Sequence, residues 1–440
     1  MPVEKREGAW VHAGSINQSG ALDVQAARLG RDTTFGRIVE AVEQAEHSRA
    51  PIQKLADRLA GYLVYFALVC AVFTWLATRD LRSTISVIIV AGACGIAAGT
   101  PLAVLGAIGR AARLGAIVKG GIFLEALGRT DTVVFDKTGT LTLGRPEVRS
   151  VQPGPGRDLR EVLEAAALAE SRSEHPLGAA ILRRARQEGA AVGEPEGFRA
   201  IPGKGVEARG ARGGILAGSA AFLEERGVPA TAPETGGHPS ATVVGVALDG
   251  AFLGWILVAD APRAEAGPAL KRIHAMGIRT LLLTGDAAPA ASAIGRELGI
   301  DRVEAGLLPH EKQARIAGLK AAGHRVAMVG DGVNDAPAMV EAQVGIAMGS
   351  GTDVARETAD VVLIGNDLAR LPETLAVARR MRRIILQNFA GTLAVDGVGV
   401  GLAAFGLLDP LLAAFIHVAS ELAFILNATR LLPGREREPG

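Results

Sequence analysis

Four stretches of the chain are almost uniformly apolar over roughly the 20 residues that a membrane-spanning helix needs. They run from about Leu55 to Ala77, Ile85 to Ile108, Ile384 to Leu407 and Leu411 to Leu431. Short polar turns join them in pairs, Thr78-Arg79-Asp80-Leu81-Arg82 in the first and Leu408-Asp409-Pro410 in the second. The pattern predicts two helical hairpins. Their orientation follows from Lys and Arg, which accumulate on the cytoplasmic side. Arg49, Lys54 and Arg58 precede the first span, and Arg110, Arg113 and Lys119 follow the second. Arg379, Arg380, Arg382 and Arg383 precede the third, and Arg430, Arg435 and Arg437 follow the fourth. The outer turns hold only Arg79 and Arg82. This asymmetry predicts a multi-pass protein of the plasma (inner) membrane, with both termini and the central segment cytosolic. It weighs against four buried core helices of a large soluble protein.

Between the hairpins the pattern changes. Short apolar runs end in Gly-rich turns and lead into helix-like stretches: Thr132–Phe135, Thr280–Leu283, Arg325–Val329 and Val344–Met348. Such alternation predicts an α/β domain on a parallel sheet. It is interrupted from about Gly144 to Gly254 by an insertion with a helical start (Arg160–Glu188) and short strands after it. The α/β pattern is expected to resume near Trp255–Asp260. The first 40 residues hold β-like pieces such as Gly20–Val24, then an amphipathic helix from about Asp32, too little for an independent core.

Composition narrows the class. A net charge of +1 over 440 residues gives no reason to expect a nucleic-acid partner. Cys70 and Cys94 both lie in apolar runs, so no disulfide framework is implied. The polar N-terminus, Met1-Pro2-Val3-Glu4-Lys5-Arg6, does not read as a signal peptide.

The chemistry starts at Asp136. It follows the strand Thr132–Phe135 and opens Asp136-Lys137-Thr138-Gly139-Thr140, at the strand end where open α/β sheets carry their sites. A carboxylate there suits nucleophilic attack on a phosphoryl group. Thr284-Gly285-Asp286 ends the next strand, with a hydroxyl able to hold a phosphoryl oxygen. Lys312 can neutralise phosphoryl charge. Gly330-Asp331-Gly332-Val333-Asn334-Asp335 places two carboxylates in a Gly-rich turn, which suits Mg²⁺. Each motif alone reads as a turn or a solvated side chain; all four in this order, at strand ends, do not.

With these residues and Gly349–Asp353 (Gly-Ser-Gly-Thr-Asp) beyond them, the chain resembles a P-type ATPase of the haloacid dehalogenase superfamily. The resemblance implies that ATP phosphorylates Asp136, with Lys137, Thr138, Thr284, Gly285, Asp286, Lys312 and Asn334 around the reacting group. Mg²⁺ would lie among Asp136, Thr138, Asp331 and Asp335. Ser173-Glu174-His175-Pro176, Ile201-Pro202-Gly203-Lys204-Gly205 and Ala217-Gly218-Ser219 resemble the nucleotide-binding insertion of the heavy-metal branch. Glu174, His175, Gly203, Gly205 and Gly218 would then line the adenosine, with Ser219 where that branch often has Asn.

Expected domains follow: residues 1–47, the C-terminal remnant of a β-rich actuator domain; 48–118, the first transmembrane hairpin; 119–143 and 255–378, a Rossmann-like phosphorylation domain; 144–254, an α+β nucleotide-binding domain; 379–432, the second hairpin; and 433–440, a tail. The chain contains no Thr-Gly-Glu, the actuator loop whose Glu helps hydrolyse the aspartyl-phosphate in the family. The front spans that normally precede that domain and any Cys-x-x-Cys metal domain are absent too. The expectation is the carboxyl-terminal part of a longer pump, as a fragment or as a truncated product slow to turn over.

The cargo is read from the spans. The heavy-metal branch usually carries Cys-Pro-Cys, or a related Pro-containing triplet, seven residues before a Thr-Pro like Thr100-Pro101. Here the triplet is Gly92-Ala93-Cys94, and only Cys94 matches. Pro101 is expected to kink the helix. Asp396, His417 and Glu421 fall at similar depth, and His417 and Glu421, four apart, share a helix face. Ionisable groups in a span are costly and usually functional. Cobalt- and zinc-type members have His or Asp where His417 stands; copper-type members have Met there, and Tyr-Asn in place of Val395-Asp396. Cys94, Asp396, His417 and Glu421 therefore suggest a divalent transition metal such as Zn²⁺, Co²⁺ or Ni²⁺, with a copper(I) pump as the alternative. Cys70, without polar neighbours, reads as packing. A non-transporting phosphorylatable remnant and a soluble phosphatase of the same superfamily are the other readings.

Overall fold

The computed structural model describes residues 11, 24–25, 50–92, 94–173, 176–201, 204–230, 241–286, 288–331, 335–349 and 357–432. The segment 1–47, apart from residues 11, 24 and 25, and the tail 433–440 therefore lie outside the described residues, as do the expected actuator remnant and most of Gly349–Asp353.

Among the described residues, four helical segments are long and apolar enough to cross a membrane. They are α1 (Pro51–Thr78), the pair α2 (Leu81–Val90) and α3 (Cys94–Arg113), α12 (Arg370–Ala404) and α13 (Pro410–Thr429). Both outer turns are built by their own residues. Arg79 adopts a left-handed conformation (φ 54°) that ends α1, with its guanidinium over the Trp75 ring. Asp80 then caps α2 by accepting from the backbone N–H groups of Arg82 and Ser83. In the second hairpin Asp409 caps α13 through Leu412 N, with Pro410 at the first helical position. Polarity is inverted relative to a water-soluble bundle: Tyr65, Phe73, Leu411 and Phe415 face outward, while Asn388, Thr392 and Asp396 are buried. That arrangement suits lipid, where outward polar groups are the costly ones.

The second span departs from expectation. It breaks at Ala91 and Gly92, whereas Pro101 lies inside the continuous α3. Thr100 Oγ1 donates to Ile96 O (2.8 Å) just before the proline, so a side chain binds the local backbone where the helix loses a donor. Nor does the third span stop at the membrane: α12 runs 35 residues without interruption. Its first turns lie against the α/β domain, where Arg379 donates to Thr130 O and Met276 O. The expected boundary at 378/379 thus falls inside one rigid helix.

The α/β domain carries a seven-stranded sheet in the order β1-β13-β12-β11-β2-β9-β10. These are Ala116–Val118, Val361–Leu363, Val344–Met348, Val326–Gly330, Thr132–Phe135, Arg279–Leu283 and Arg302–Glu304. The strands β10, β9, β2, β11, β12 and β13 run parallel. Their near-continuous apolar runs are buried, as central parallel strands require. Because β9, β2 and β11 are neighbours in one direction, the turns after all three open on the same edge.

The insertion is a second sheet, antiparallel, in the order β3-β8-β7-β6-β5-β4. Its strands are Thr142–Pro153, Ala251–Pro262, Thr242–Leu248, Gly213–Gly218, Gly205–Gly210 and Gly197–Ile201. Helices α5 (Leu159–Glu170) and α6 (Pro176–Gln187) pack their apolar side on it. Trp255–Asp260 therefore belongs to the insertion's sheet, not to the resumed α/β domain. The boundaries set at 143/144 and 254/255 cut through β3 and β8, which pair from Thr142↔Pro262 to Pro153↔Gly254. This two-stranded connection is pinned by Asp260, whose carboxylate accepts from Thr142 Oγ1 (2.6 Å), Gly144 N (2.9 Å) and Arg145 N (3.0 Å).

Candidate active site

Asp136 leaves β2 with its N–H still bonded to Val329 O of β11 (2.9 Å), so the sheet fixes where the side chain begins. It is only 7% exposed. Lys312 reaches it from α10 (Pro309–Ala321), a helix set by Pro309 at its first position and by Glu311, which accepts from Leu308 N. Lys312 Nζ lies 2.5 Å from Asp136 Oδ1 and 2.9 Å from Asp335 Oδ1. Asp331 completes a group of three carboxylates whose oxygens lie within 4.8 Å of one another.

One ammonium faces three carboxylates, so the site carries surplus negative charge in a dry place. Burial, then the charge of Asp335, pushes the Asp136 carboxyl up to about 7. The same two causes raise Asp331 to about 6. Burial works against the charge of Lys312, but the carboxylates of Asp136 and Asp335 outweigh it and hold its pKa above the usual lysine value. A divalent cation would relieve this repulsion, and hard carboxylate oxygens suit Mg²⁺. Two glycines keep the space open. Gly139 has φ +74°, and a Cβ there would run into the Asp331 carboxylate; one on Gly330 would come within 2.8 Å of Asp335 Cβ.

On the neighbouring strand, Thr284 Oγ1 donates to Asp286 Oδ2 (2.8 Å), and Lys137 Nζ lies 2.5 Å from the same oxygen. Asp286 thus holds both the Thr hydroxyl and the Lys ammonium at the sheet edge. A Cβ on Gly285 would press on Leu307 O at 3.3 Å. Thr138 is exposed next to Asp136. Asn334 lies outside the described residues, as do Glu174, His175 and Gly203. Gly205 and Gly218 face each other across β5 and β6. A Cβ on Gly218 would meet the Phe222 ring at 2.6 Å, and one on Gly205 would meet Gly218 Cα at 2.6 Å, so close packing alone calls for both glycines. Ser219 caps the helix Ala220–Glu225 through Phe222 N.

Arg263 was missed in the sequence. It is 7% exposed and donates to Gly139 O (2.7 Å), Thr140 O (2.9 Å) and Asn366 O (2.9 Å). It clamps the turn after Asp136 from the far end of β8. The signal was an isolated Arg directly after an Asp-Ala-Pro, too common to single out. Arg263→Ala should leave two buried carbonyls and a half-buried one without their charged donor, costing on the order of 3 kcal/mol. A lower melting temperature with slower phosphorylation is expected; an unchanged rate of adduct formation would remove Arg263 from this role.

Inside the membrane helices, Asp396 is 4% exposed, and its Oδ2 has no hydrogen-bond partner among the described residues. His417 Nε2 lies 3.1 Å from Glu421 Oε1, an atom that is buried and likewise without a hydrogen bond. The side chain of Cys94 lies outside the described residues. Ser420 turns back to His417 O.

A nucleophile-bearing turn, a Thr, a Lys and paired carboxylates on one edge of a parallel sheet, with an inserted cap domain, define an aspartate-based phosphoryl-transfer fold, here joined to membrane helices. Residues 130–343 match the haloacid dehalogenase-like hydrolase family, and residues 1–43 match the P-type ATPase actuator domain. A solved zinc-transporting PIB-type ATPase in the E2.Pi state superimposes with a TM-score of 0.71 at 35% identity, covering 92% of this chain and 68% of that one. A probable copper-exporting P-type ATPase V of Mycobacterium tuberculosis is 38% identical over 98% of this chain and 58% of its own length. A copper-exporting P-type ATPase of Bacillus subtilis is 37% identical over 98% and 56%. The chain belongs to the P-type ATPases, in their heavy-metal-transporting branch. It spans a little over half the length of these curated relatives.

Proposed function

We propose that the chain is the catalytic and ion-path part of an ATP-driven pump moving a transition-metal cation across the plasma (inner) membrane, with its termini and catalytic domains in the cytosol. The observation that carries this is the buried Asp136–Lys312 pair, 2.5 Å apart, among three carboxylates in a chain with four membrane-length helices. In the proposed step an Asp136 carboxylate oxygen attacks the γ-phosphorus of ATP. A bond from oxygen to phosphorus forms, the bond to the bridging oxygen breaks, and ADP leaves with that electron pair. Lys312 and Thr284 contact the transferred phosphoryl oxygens, and Asp286 holds Lys137 and Thr284 in place. Asp136, Asp331 and Asp335, with Thr138, would hold Mg²⁺, which would offset negative charge on the phosphoryl oxygens. Glu174, His175, Gly203, Gly205 and Gly218 are the proposed nucleotide contacts, and Asn334 is proposed among the catalytic residues. The proposed division keeps a phosphorylation part and an inserted nucleotide-binding part, with β3 and β8 as the connection between them.

The cargo we infer is a divalent ion. Buried carboxylate oxygens of Asp396 and Glu421 without hydrogen bonds, the latter 3.1 Å from the His417 imidazole, offer oxygen and nitrogen donors, which suit Zn²⁺, Co²⁺ or Ni²⁺ better than copper(I). The copper-exporting relatives support the second reading, a copper(I) pump. In the full-length pump, Cys94→Ala and His417→Ala should each abolish metal-stimulated ATPase activity while ATP binding persists. Stimulation by copper(I) with no response to divalent ions would overturn the choice of metal. Full activity in both variants would overturn the site.

A further inference from the structure

The break in the second span and the histidine of the fourth touch. Gly92 is the residue at the break, and the space its side chain would fill is already taken by the His417 imidazole: a Cβ built there would sit 2.6 Å from Nε2 and closer still to Nδ1 and Cε1. A real Cβ and the ring cannot coexist at such separations, so the present position of His417 exists only because residue 92 has no side chain. In that position the ring nitrogen stands 3.1 Å from Glu421 Oε1. The Asp396 carboxylate of the third span is almost wholly buried, and its Oδ2 has no hydrogen bond among the described residues. Buried polar atoms without a hydrogen bond are uncommon, and a bound ion is one way to satisfy them. The helix break adds a gap in the backbone ladder: Gly92 N donates to Val90 O, two residues back, rather than to a carbonyl four residues back.

We propose that Gly92 determines metal selectivity by seating His417: a missing side chain on the broken helix is the socket that presents an imidazole nitrogen to the carboxylates of Asp396 and Glu421. This rests on the reading of those residues as the cargo site. Any side chain at position 92 evicts the ring. The donor set then loses its nitrogen, and the preference for borderline divalent ions falls with it. Gly92 touches no ion itself; it is a positioning residue, acting through His417.

The test uses the full chain in detergent with Zn²⁺ as the probe, in four forms: parent, Gly92→Ala, His417→Ala and the double variant. Zn²⁺ affinity by chelator competition should fall roughly 10- to 100-fold in Gly92→Ala, the range for loss of a residue that orients a ligand. The double variant should bind no more weakly than His417→Ala. Zinc X-ray absorption of the parent should show the imidazole scattering signature, and Gly92→Ala should lose it. Thermal stability gives an independent reading: Gly92→Ala should melt lower than the parent, and adding His417→Ala should recover the loss by emptying the socket. If His417→Ala weakens Zn²⁺ binding but Gly92→Ala does not, or if the two losses add in full, the socket is overturned while the site stands. If parent and His417→Ala bind Zn²⁺ alike, the site reading falls, and the socket with it.

Discussion

Asp136→Asn is expected to abolish the acid-stable, hydroxylamine-sensitive phosphoryl adduct formed from labelled ATP and Mg²⁺, and at the same time to make the protein more stable. The first effect is chemical: the amide has no carboxylate oxygen to attack phosphorus. The second follows from the site's charge. Burial and the nearby Asp335 raise the Asp136 pKa to about 7, against about 4 in an unfolded chain. The folded state therefore binds a proton more tightly than the unfolded state, so stability declines as pH rises between those two values. Asn removes that penalty and can still accept from Lys312. Without Mg²⁺, the variant should melt above the parent at pH 8 and match it near pH 4. Added Mg²⁺ should close the gap at pH 8 by stabilising the parent more. Label retained at parental level in the variant would end the assignment of Asp136, and a variant that melts lower at pH 8 would show that burial and repulsion do not dominate there.

Gly139→Ala should be the most damaging single methyl group in the molecule. Two costs coincide. With φ at +74°, Gly139 is in the left-handed region, which costs an L-residue roughly 1–2 kcal/mol. The new Cβ also falls on the Asp331 carboxylate, which must move away from Asp136 and Asp335. Displacing a reacting constellation by about 1 Å costs roughly a hundredfold in rate. Adduct formation in Gly139→Ala should thus slow by about two orders of magnitude, with weaker Mg²⁺ dependence. Gly156→Ala is the matched control: φ is +72° and nothing lies within 4 Å of the added methyl. It should show the strain in its melting temperature and leave the phosphorylation rate alone. Equal effects of the two substitutions would mean that strain alone, and not contact with Asp331, sets the outcome.

Consecutive residues carried much of this protein openly. An apolar run of membrane length and a Lys and Arg bias are local facts, and among the described residues the membrane-length helical segments overlap all four predicted spans, although the second is broken and the third begins earlier. The central parallel strands were legible for the same reason: buried on both faces, they leave uninterrupted apolar runs that end in turns. Asp136, Thr284 and Asp331 were found because each directly follows such a strand, and parallel neighbours open on one edge. What the tertiary structure decided depends on residues far apart in the chain. Trp255–Asp260 looked like a strand of the phosphorylation domain, since an apolar run does not name its partner; hydrogen bonding to β3 and β7 assigned it to the insertion. Pro101 carried the obvious mark of a kink, yet the helix opens at Ala91 and Gly92, beside the His417 ring. Arg263 had no motif to announce it, because its partners are backbone carbonyls more than 100 residues away. Gly92 by itself is one glycine among many; only packing against the fourth span shows that its missing side chain is occupied space. Local patterns record what each segment needs from water or lipid, whereas contacts between distant segments are fixed by close packing, which no single segment encodes.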